Sequence, residues 1–419
     1  MIEYRAAIDC LVTDCALLPS EYCALDAAAG RVLAESIISR ADLPPFDNSA
    51  MDGFALRSAG STLAAGSEFA VSGAQAAGDA SSVASGEAWE IMTGASVPLR
   101  LDTVIPVEQV AVLQRDGADR PTRIRLLAAV PPGQHLRRAG EDLRAGALAV
   151  SAGTVLGSQH LMLLAALGVA QVAVRRRPKV AIINTGRELV DDPAAALAEG
   201  AIRNSNGPYL VAALAQLGAE VVLRETVPDQ PDAFAAVLER ALAAAADVVI
   251  SSGAVSMGRY DFVPESLIAG GARIRFHQVA IRPGKPLLFA QLAAGALFFG
   301  LPGNPISCAV GLRFFVAPAL RAMTGLDRER SWQLPLRSAQ SKKSGFRQFL
   351  KARVELDSAG RPQARVLDGQ ESFRIQPLAL ANAWVVLPEA ATDLPAGSLV
   401  EVVGLSAPWL ADLPGLGGA

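Results

Sequence analysis

Three short segments carry residue types suited to holding an oxyanion. Thr185-Gly186-Arg187-Glu188 follows the apolar run KVAIIN. Ser252-Gly253-Ala254-Val255-Ser256-Met257-Gly258 follows DVVIS, and Leu301-Pro302-Gly303-Asn304-Pro305 follows ALFFG. Glycine lets backbone N–H groups approach a ligand closely, and a helix that follows adds partial positive charge at its N-terminus. Phosphate or a similar oxyanion is the natural guest. The candidate lining is Thr185, Gly186, Ser252, Gly253, Ser256, Gly258, Pro302, Gly303, Asn304 and Pro305. None of the three loops matches GxGxxG, and GxxxxGK[ST] is absent, so neither a Rossmann dinucleotide site nor a P-loop is indicated. One such loop is usually a tight turn; three after successive strands point to a site.

Charged residues fall in the same stretch. IRPGKP places Arg282 and Lys285 in a stiff loop, where cations can hold phosphate or a molybdate-like oxyanion. Glu188 and Asp261 stand beside the glycine loops, and carboxylate plus phosphate oxygens is the usual ligand set of Mg²⁺. Asp261 reads equally well as the N-cap of a following helix, and Glu188 as an exposed acid of a first helical turn. Ser205-Asn206-Gly207-Pro208 is sufficient as a capping turn. The N-terminal half holds more polar groups than a linker needs: Phe46-Asp47-Asn48-Ser49-Ala50-Met51-Asp52-Gly53, Met92-Thr93-Gly94-Ala95, and Arg137, Arg138, Glu141 and Asp142 around Gly140. These are remote in sequence from the sheet loops, so a site using both must form between domains or between subunits. No cysteine or serine stands beside a plausible base, which disfavours a covalent intermediate.

The elements that position these residues follow from periodicity. From residue 179 the chain alternates strand and helix: KVAIIN, PYLVAALAQLG, EVVLRETV, residues 232–246, DVVIS, ALFFG and PISCAVGLRFFVAPALRAM. Near-continuous apolar strands between helices imply a parallel, doubly wound sheet covered on both faces, with ligands at the carboxyl ends of its strands. Residues 1–40 show helical spacing and then a short strand at 36–39. Short apolar runs separated by Gly, Pro and Asp over 66–138 suggest a small β domain. Residues 155–174 read as a buried helix followed by a strand rather than a membrane span. Arg175-Arg176-Arg177-Pro178 reads as a solvated boundary in preference to a ligand site. Beyond residue 325, FRQFLKARVEL, QARVLD, WVVLP and SLVEVVGL indicate a C-terminal β domain. The expected fold class is multidomain α/β. A mixed N-terminal domain spans 1–43 plus 139–176, an inserted β domain 44–138, the central doubly wound domain 177–325, and a β domain 326–419.

Composition narrows the functions. The 419 residues are 51% hydrophobic and 19% charged, too apolar for a disordered chain. A formal net charge of −3 offers no bulk cationic field, so no nucleic-acid or membrane partner is expected. Cys10, Cys15, Cys23 and Cys308 form no CxxC pair, and three histidines without HExxH do not make a histidine metal site. MIEYRAAIDCLVTDC lacks the pattern of a signal peptide, so a cytoplasmic protein is expected.

At PPFDNSAMDGFAL, IMTGASVP, AGEDLRAG, NTGREL, IRNSNGPYL, SSGAVSMGRYDFV, IRPGKPL and LPGNPIS, in that order, the chain resembles the molybdopterin molybdenumtransferase (MoeA) family, which includes the C-terminal part of gephyrin. The resemblance implies insertion of molybdate, the substrate, into adenylylated molybdopterin with release of AMP and with Mg²⁺ assisting. It implies a homodimer whose central domain is similar to MogA-type adenylylating proteins, with the cleft between that domain and the partner's PPFDNSAMDG-bearing domain. A MogA-type adenylyltransferase and acceptor molybdoenzymes are the further partners it suggests. Matched position by position, Asp52, Thr93 and Asp142 fall on cleft positions of the N-terminal half. Glu188, Asp261, Lys285, Pro302 and Pro305 fall on positions linked to activity or pocket shape, and Asp229 in VPDQ on a further acidic one. Catalytic roles are therefore expected at Asp52, Thr93, Asp142, Glu188 and Lys285, and metal ligation at Glu188 and Asp261. The chain departs from the family at Arg282, where Lys is usual, at Ala254, where a second Gly is common, and at Arg259. The alternatives are a molybdopterin adenylyltransferase and a non-catalytic, gephyrin-like scaffold.

Overall fold

The computed structural model describes residues 1–255 and 262–405. Ser256, Gly258, Arg259 and Asp261 lie outside the described residues. Where helical spacing suggests one long helical stretch at the N-terminus, there is a single helix, α1 (Tyr4–Asp14), followed by strand β1 (Ser20–Ala24). Pro19, between them, removes a backbone donor that a continued helix would need.

The inserted segment forms its own six-stranded sheet from β2 (Gly53–Leu56), β3 (Glu68–Gln75), β4 (Ala88–Ile91), β5 (Thr103–Pro106), β6 (Val110–Arg115) and β7 (Pro121–Leu126), in the order β5-β2-β4-β3-β7-β6. Its two cores, around Phe54, Ile105 and Ile124 and around Ile91, Leu101 and Val104, are drawn wholly from this segment. Helix α2 (Ser158–Ala166) and strand β8 (Gln171–Arg175) return the chain to the N-terminal region, with β8 antiparallel to β1. Contrary to expectation, α2 is not buried. Only Leu164 of its residues is, and Met162 is 76% exposed.

The central sheet is built from β9 (Lys179–Thr185), β10 (Glu220–Val227), β11 (Val248–Ser252), β12 (Arg273–His277), β14 (Leu288–Gln291) and β15 (Leu297–Leu301), with β13 (Ile281–Arg282) leaving it for another sheet. The order is β10-β9-β11-β15-β14-β12, and the first four strands are parallel. Strand β14 is antiparallel because a tight turn closed by Leu292 N–H on the Ala296 carbonyl joins it directly to β15. Alternate residues feed two cores: Val180, Ile182, Ile250 and Phe299 face α1 and α3 (Asn206–Gln216), whereas Ala181, Ile183, Val249 and Phe298 face α4 (Pro231–Ala243) and α5 (Val263–Ala269). A continuous helix over Pro305–Met323 comprises α6 (Pro305–Gly311), one π-helical turn, and α7 (Ala317–Met323). It is long and apolar enough to cross a membrane, but 83% of its most apolar 18-residue stretch is buried inside the protein, which makes it a core helix.

The last sheet contains β16 (Trp332–Pro335), β17 (Arg347–Leu356), β18 (Pro362–Val366), β19 (Ala383–Leu387) and β20 (Leu399–Gly404). Its edge is β13, paired in parallel with β17. The IRPGKP loop is therefore anchored at its start by the C-terminal sheet.

Candidate functional site

The carboxyl ends of β9, β11 and β15 converge, and their loops are bonded into one surface. Gly253 N–H donates to the Leu301 carbonyl at 3.0 Å, the Thr185 hydroxyl to the Ser252 carbonyl at 3.3 Å, and the Asn206 side-chain amide to the Gly303 carbonyl at 2.8 Å. Gly253 has φ +101°, and a Cβ there would lie 2.6 Å from the Thr185 carbonyl oxygen, so only glycine allows the two loops this approach. Ala254 adopts φ 52° in the left-handed region, which explains why glycine suits that position better. Thr185, Ser252 and Pro302 are buried, whereas Gly303 and Asn304 are exposed at the rim and Pro305 is half-buried. The thiol of Cys308, one turn into α6, is fully buried, and burial pushes it up to about 12. It is no nucleophile at neutral pH.

Two asparagines complete this rim, and sequence reasoning missed their roles. Asn184, fully buried, donates to the Ser252 hydroxyl at 2.6 Å, and its Oδ1 has no partner. That oxygen lies 3.0 Å from where a Cβ on Gly207 would stand, which places it against the first turn of α3. Asn204, not Ser205, caps α3: its Oδ1 accepts the Gly207 N–H at 2.9 Å. The available signal was the pair of motifs NTG and RNSNG, which read as turns because their partners are remote in sequence.

Acids flank the first loop. Glu188 is exposed, and both its carboxylate oxygens lie 2.9 Å from where a Cβ on Gly186 would sit, so the carboxylate folds over the loop glycine. Asp229, half-buried, accepts the Arg187 N–H at 3.4 Å. Glu188 offers an unshared carboxylate of the kind Mg²⁺ takes. Asp261, its expected co-ligand, lies outside the described residues. Among the described residues no cluster of three or more His, Cys, Asp or Glu side chains forms a ready metal cage. Arg282 and Lys285 are both exposed, and among the described residues neither has a side-chain hydrogen bond or ion pair.

The N-terminal motifs form a second, separate constellation. Asp52 Oδ1 accepts the Thr93 N–H at 2.7 Å, which brings these two candidates together at an exposed corner between β2 and the turn after β4. Gly53 is required beside them: a Cβ there would stand 2.0 Å from the Ile105 carbonyl oxygen. Asp142 is exposed in a bend of the segment that leads back from the inserted sheet, where its N–H donates to the Leu43 carbonyl at 3.0 Å. Most of the remaining polarity is internal. Asp47 accepts from Arg138 at 2.6 Å and from the Ala139 N–H at 2.8 Å, and these bonds hold its carboxyl below the usual carboxylate range. Ser49 donates to the Met51 carbonyl at 2.6 Å. Among the described residues no hydrogen bond or strand pairing joins 44–138 to 177–325. Within one chain the structure brings Asp52 to Thr93, and Thr185 to Ser252, Gly253 and Gly303, but does not bond the first pair to the second group.

Comparison with known proteins covers nearly the whole chain. Residues 2–168 match the model "MoeA N-terminal region (domain I and II)", residues 181–322 "Probable molybdopterin binding domain", and residues 333–405 "MoeA C-terminal region (domain IV)". The molybdopterin molybdenumtransferase of Synechococcus elongatus is 38% identical over 418 residues, covering 97% of this chain and 100% of that protein. The protein of the same name from Staphylococcus aureus is 34% identical, with 96% and 95% covered. Among solved structures, a molybdopterin biosynthesis MoeA protein from Pyrococcus horikoshii superposes with a TM-score of 0.79 at 31% identity, covering 98% of this chain and all of that one.

Proposed function

The chain belongs to the MoeA family of molybdopterin molybdenumtransferases, and on that premise we propose how its own residues carry the reaction. The protein is a transferase of molybdenum cofactor biosynthesis that inserts molybdenum into molybdopterin. Beyond this, the substrate is adenylylated molybdopterin and the co-product AMP. The observation that carries the reading is the bonded surface of three loops at the carboxyl rim of β9, β11 and β15, flanked by two exposed cations that have no partner among the described residues.

Backbone amides that the loop–loop bonds leave free, that of Gly303 among them, bind phosphate and molybdate oxygens, whereas the Gly186 and Gly253 N–H groups, donated to the Val227 and Leu301 carbonyls, hold the loops in shape. Lys285 and Arg282 neutralise oxyanion charge as it concentrates in the transition state. Arg282 does so with a planar fork rather than a compact ammonium. Glu188 would hold Mg²⁺ together with phosphate oxygens; the ion, when bound, offsets charge on the pyrophosphate linkage. The partner subunit's Asp52 and Thr93 close the cleft and orient the dithiolene or an attacking water. Catalysis is positioning plus electrostatics, without a covalent protein intermediate.

A homodimer is supported from two sides. Among the described residues no bond joins the two groups of site residues within one chain, and the N-terminal region leaves Met162, Tyr22 (73%) and Leu148 (53%) exposed, apolar surface that a second copy would cover. The protein acts in the cytoplasm. The test uses Asp52→Ala and Lys285→Ala with adenylylated molybdopterin, molybdate and Mg²⁺. Each variant alone loses AMP release, and a mixed dimer of the two recovers part of it. No recovery places the site within one chain; wild-type rates in both variants overturn the site assignment.

A further inference from the structure

The arginine run between the N-terminal region and the central sheet lines a cavity. The cavity holds about 380 Å³, within the range of small-molecule sites. Arg31, Arg175, Arg176, Arg177, Arg313 and Arg321 line it, and among the described residues Glu329 is the one acid in its wall. Its apolar lining includes Val32, Val155, Leu217, Ala317 and Leu326.

Charge does not balance there. Arg31 pairs with Glu21, Arg176 with Asp247 through two bonds of 2.8 Å, and Arg313, only 4% exposed, with Glu329 at 2.7 Å. Arg175 donates instead to a neutral acceptor, the Leu18 carbonyl, at 3.3 Å. Arg177 is exposed, and its guanidinium has no partner among the described residues. Leaving Arg321 aside, two guanidinium charges remain without a carboxylate. The carboxyl end of α3, at Ala215–Gly218, offers at most about half a negative charge to them. Glu220 acts on Arg176 from an exposed position, where solvent and salt screen it. The remainder approaches the charge of a phosphate monoester, about −1.5 to −2 at neutral pH.

Position separates this cavity from the reaction site. Pro178 and Gly218 stand just before the amino ends of β9 and β10, whereas the three loops follow the carboxyl ends. The seven residues of β9 span roughly 23 Å at about 3.3 Å each.

We infer that this cavity binds a phosphate monoester of mononucleotide size, its phosphate on Arg175 and Arg177 and its organic part against the apolar lining. The inference does not rest on the proposed reaction. Titration calorimetry of the full chain with AMP, in an Arg282→Ala/Lys285→Ala background that weakens the other anion site, tests it. One AMP binds per chain, Arg177→Glu weakens that binding at least tenfold, and Arg177→Lys retains most of it, since one charge-assisted contact is worth about a tenfold change. Equal affinity in Arg177→Glu overturns the inference, as does absence of AMP binding at millimolar concentration. Inorganic pyrophosphate binding more tightly than AMP overturns the assignment to a monoester. Arg177→Glu in the otherwise unaltered chain leaves molybdenum insertion intact, so a failure here is distinguishable from a failure of the proposed reaction site.

Discussion

The inserted β domain and the central sheet each present a polar rim, and they spend their polar groups differently. On the inserted domain Asp47, Ser49 and one oxygen of Asp52 are engaged by neighbouring N–H, carbonyl and guanidinium groups, so the motif is chiefly a latch that fixes its own backbone. On the central sheet the loops are shaped by glycine and by carbonyl bonds, while Arg282 and Lys285 carry charge that no ion pair among the described residues offsets. Uncompensated charge on an exposed loop costs little in water and becomes useful when an anion arrives. A motif dense in polar residues is thus not a count of its ligand contacts: the sparser rim holds more of the free charge.

The comparison breaks first, and hardest, at Gly53. If the inserted rim is a backbone latch, Gly53→Ala drives a methyl into the Ile105 carbonyl and destabilises this domain by on the order of 4 kcal/mol. Gly94→Ala nearby, at φ +80° with open space around it, costs only about 1–2 kcal/mol. Urea unfolding measures both, and equal losses would refute the close-approach argument. The central rim depends on a different support. Lys351, fully buried in β17, donates to the carbonyls of Gly369, Glu371 and Arg374 at 2.6, 3.3 and 3.1 Å. The same loop places the Ser372 carbonyl 3.0 Å from the Ile306 N–H, in the first turn of α6. Lys351→Met removes the shared donor of three carbonyls and the charge-assisted bonds of a buried ammonium, and should cost about 2–3 kcal/mol. Its rate should fall along with its unfolding midpoint. A stability loss without any rate change would detach the C-terminal sheet from the site.

How far the sequence discloses this follows from what is local. The parallel strands are legible because runs such as VAII and DVVIS are apolar without alternation, as burial on both faces requires. Strand β14 was hidden inside KPLLFAQLAAGALFFG, where one apolar stretch folds back on itself through a turn at Gly295. The exposure of α2 was illegible because composition records that a face is apolar, not whether this chain covers it. The glycine loops announce themselves, whereas the Asn206–Gly303 bond and the pairing of Ile281 and Arg282 with Arg347 and Gln348 join residues tens of positions apart. The arginine run reads as a boundary for the same reason: the remaining walls of its cavity come from four other stretches of the chain.

Lys285→Ala sharpens the comparison from the other side. An exposed side chain with no partner among the described residues contributes little to folding, so the unfolding free energy should stay within about 0.5 kcal/mol of wild type. Loss of a cation aimed at a developing oxyanion lowers kcat by about 10²-fold. Activity and stability must therefore separate at Lys285, in contrast to Gly53 and Lys351. If the Lys285→Ala rate falls only in proportion to lost folded protein, the free charge of this rim is not used in the reaction.

The smallest effect is the most specific for the latch. Asp47 is held ionised by the Ala139 N–H and then by Arg138, so its folded pKa lies below the ordinary carboxylate value of about 3.9. A depressed carboxylate contributes stability in full above the unfolded pKa and loses it as pH falls through the folded one. The pair is substantially solvent-exposed, which limits the contribution to roughly 0.2–1 kcal/mol. Asp47→Asn should therefore be slightly less stable than wild type at pH 7. The gap should shrink in high salt, where exposed charges are screened, and close as pH falls through the lowered folded pKa, where the wild-type carboxyl is protonated as well. Thermal unfolding of both proteins from neutral pH down into acid reads this directly. A gap that stays constant over that range would mean that the shape of residue 47, and not its charge, holds the latch shut.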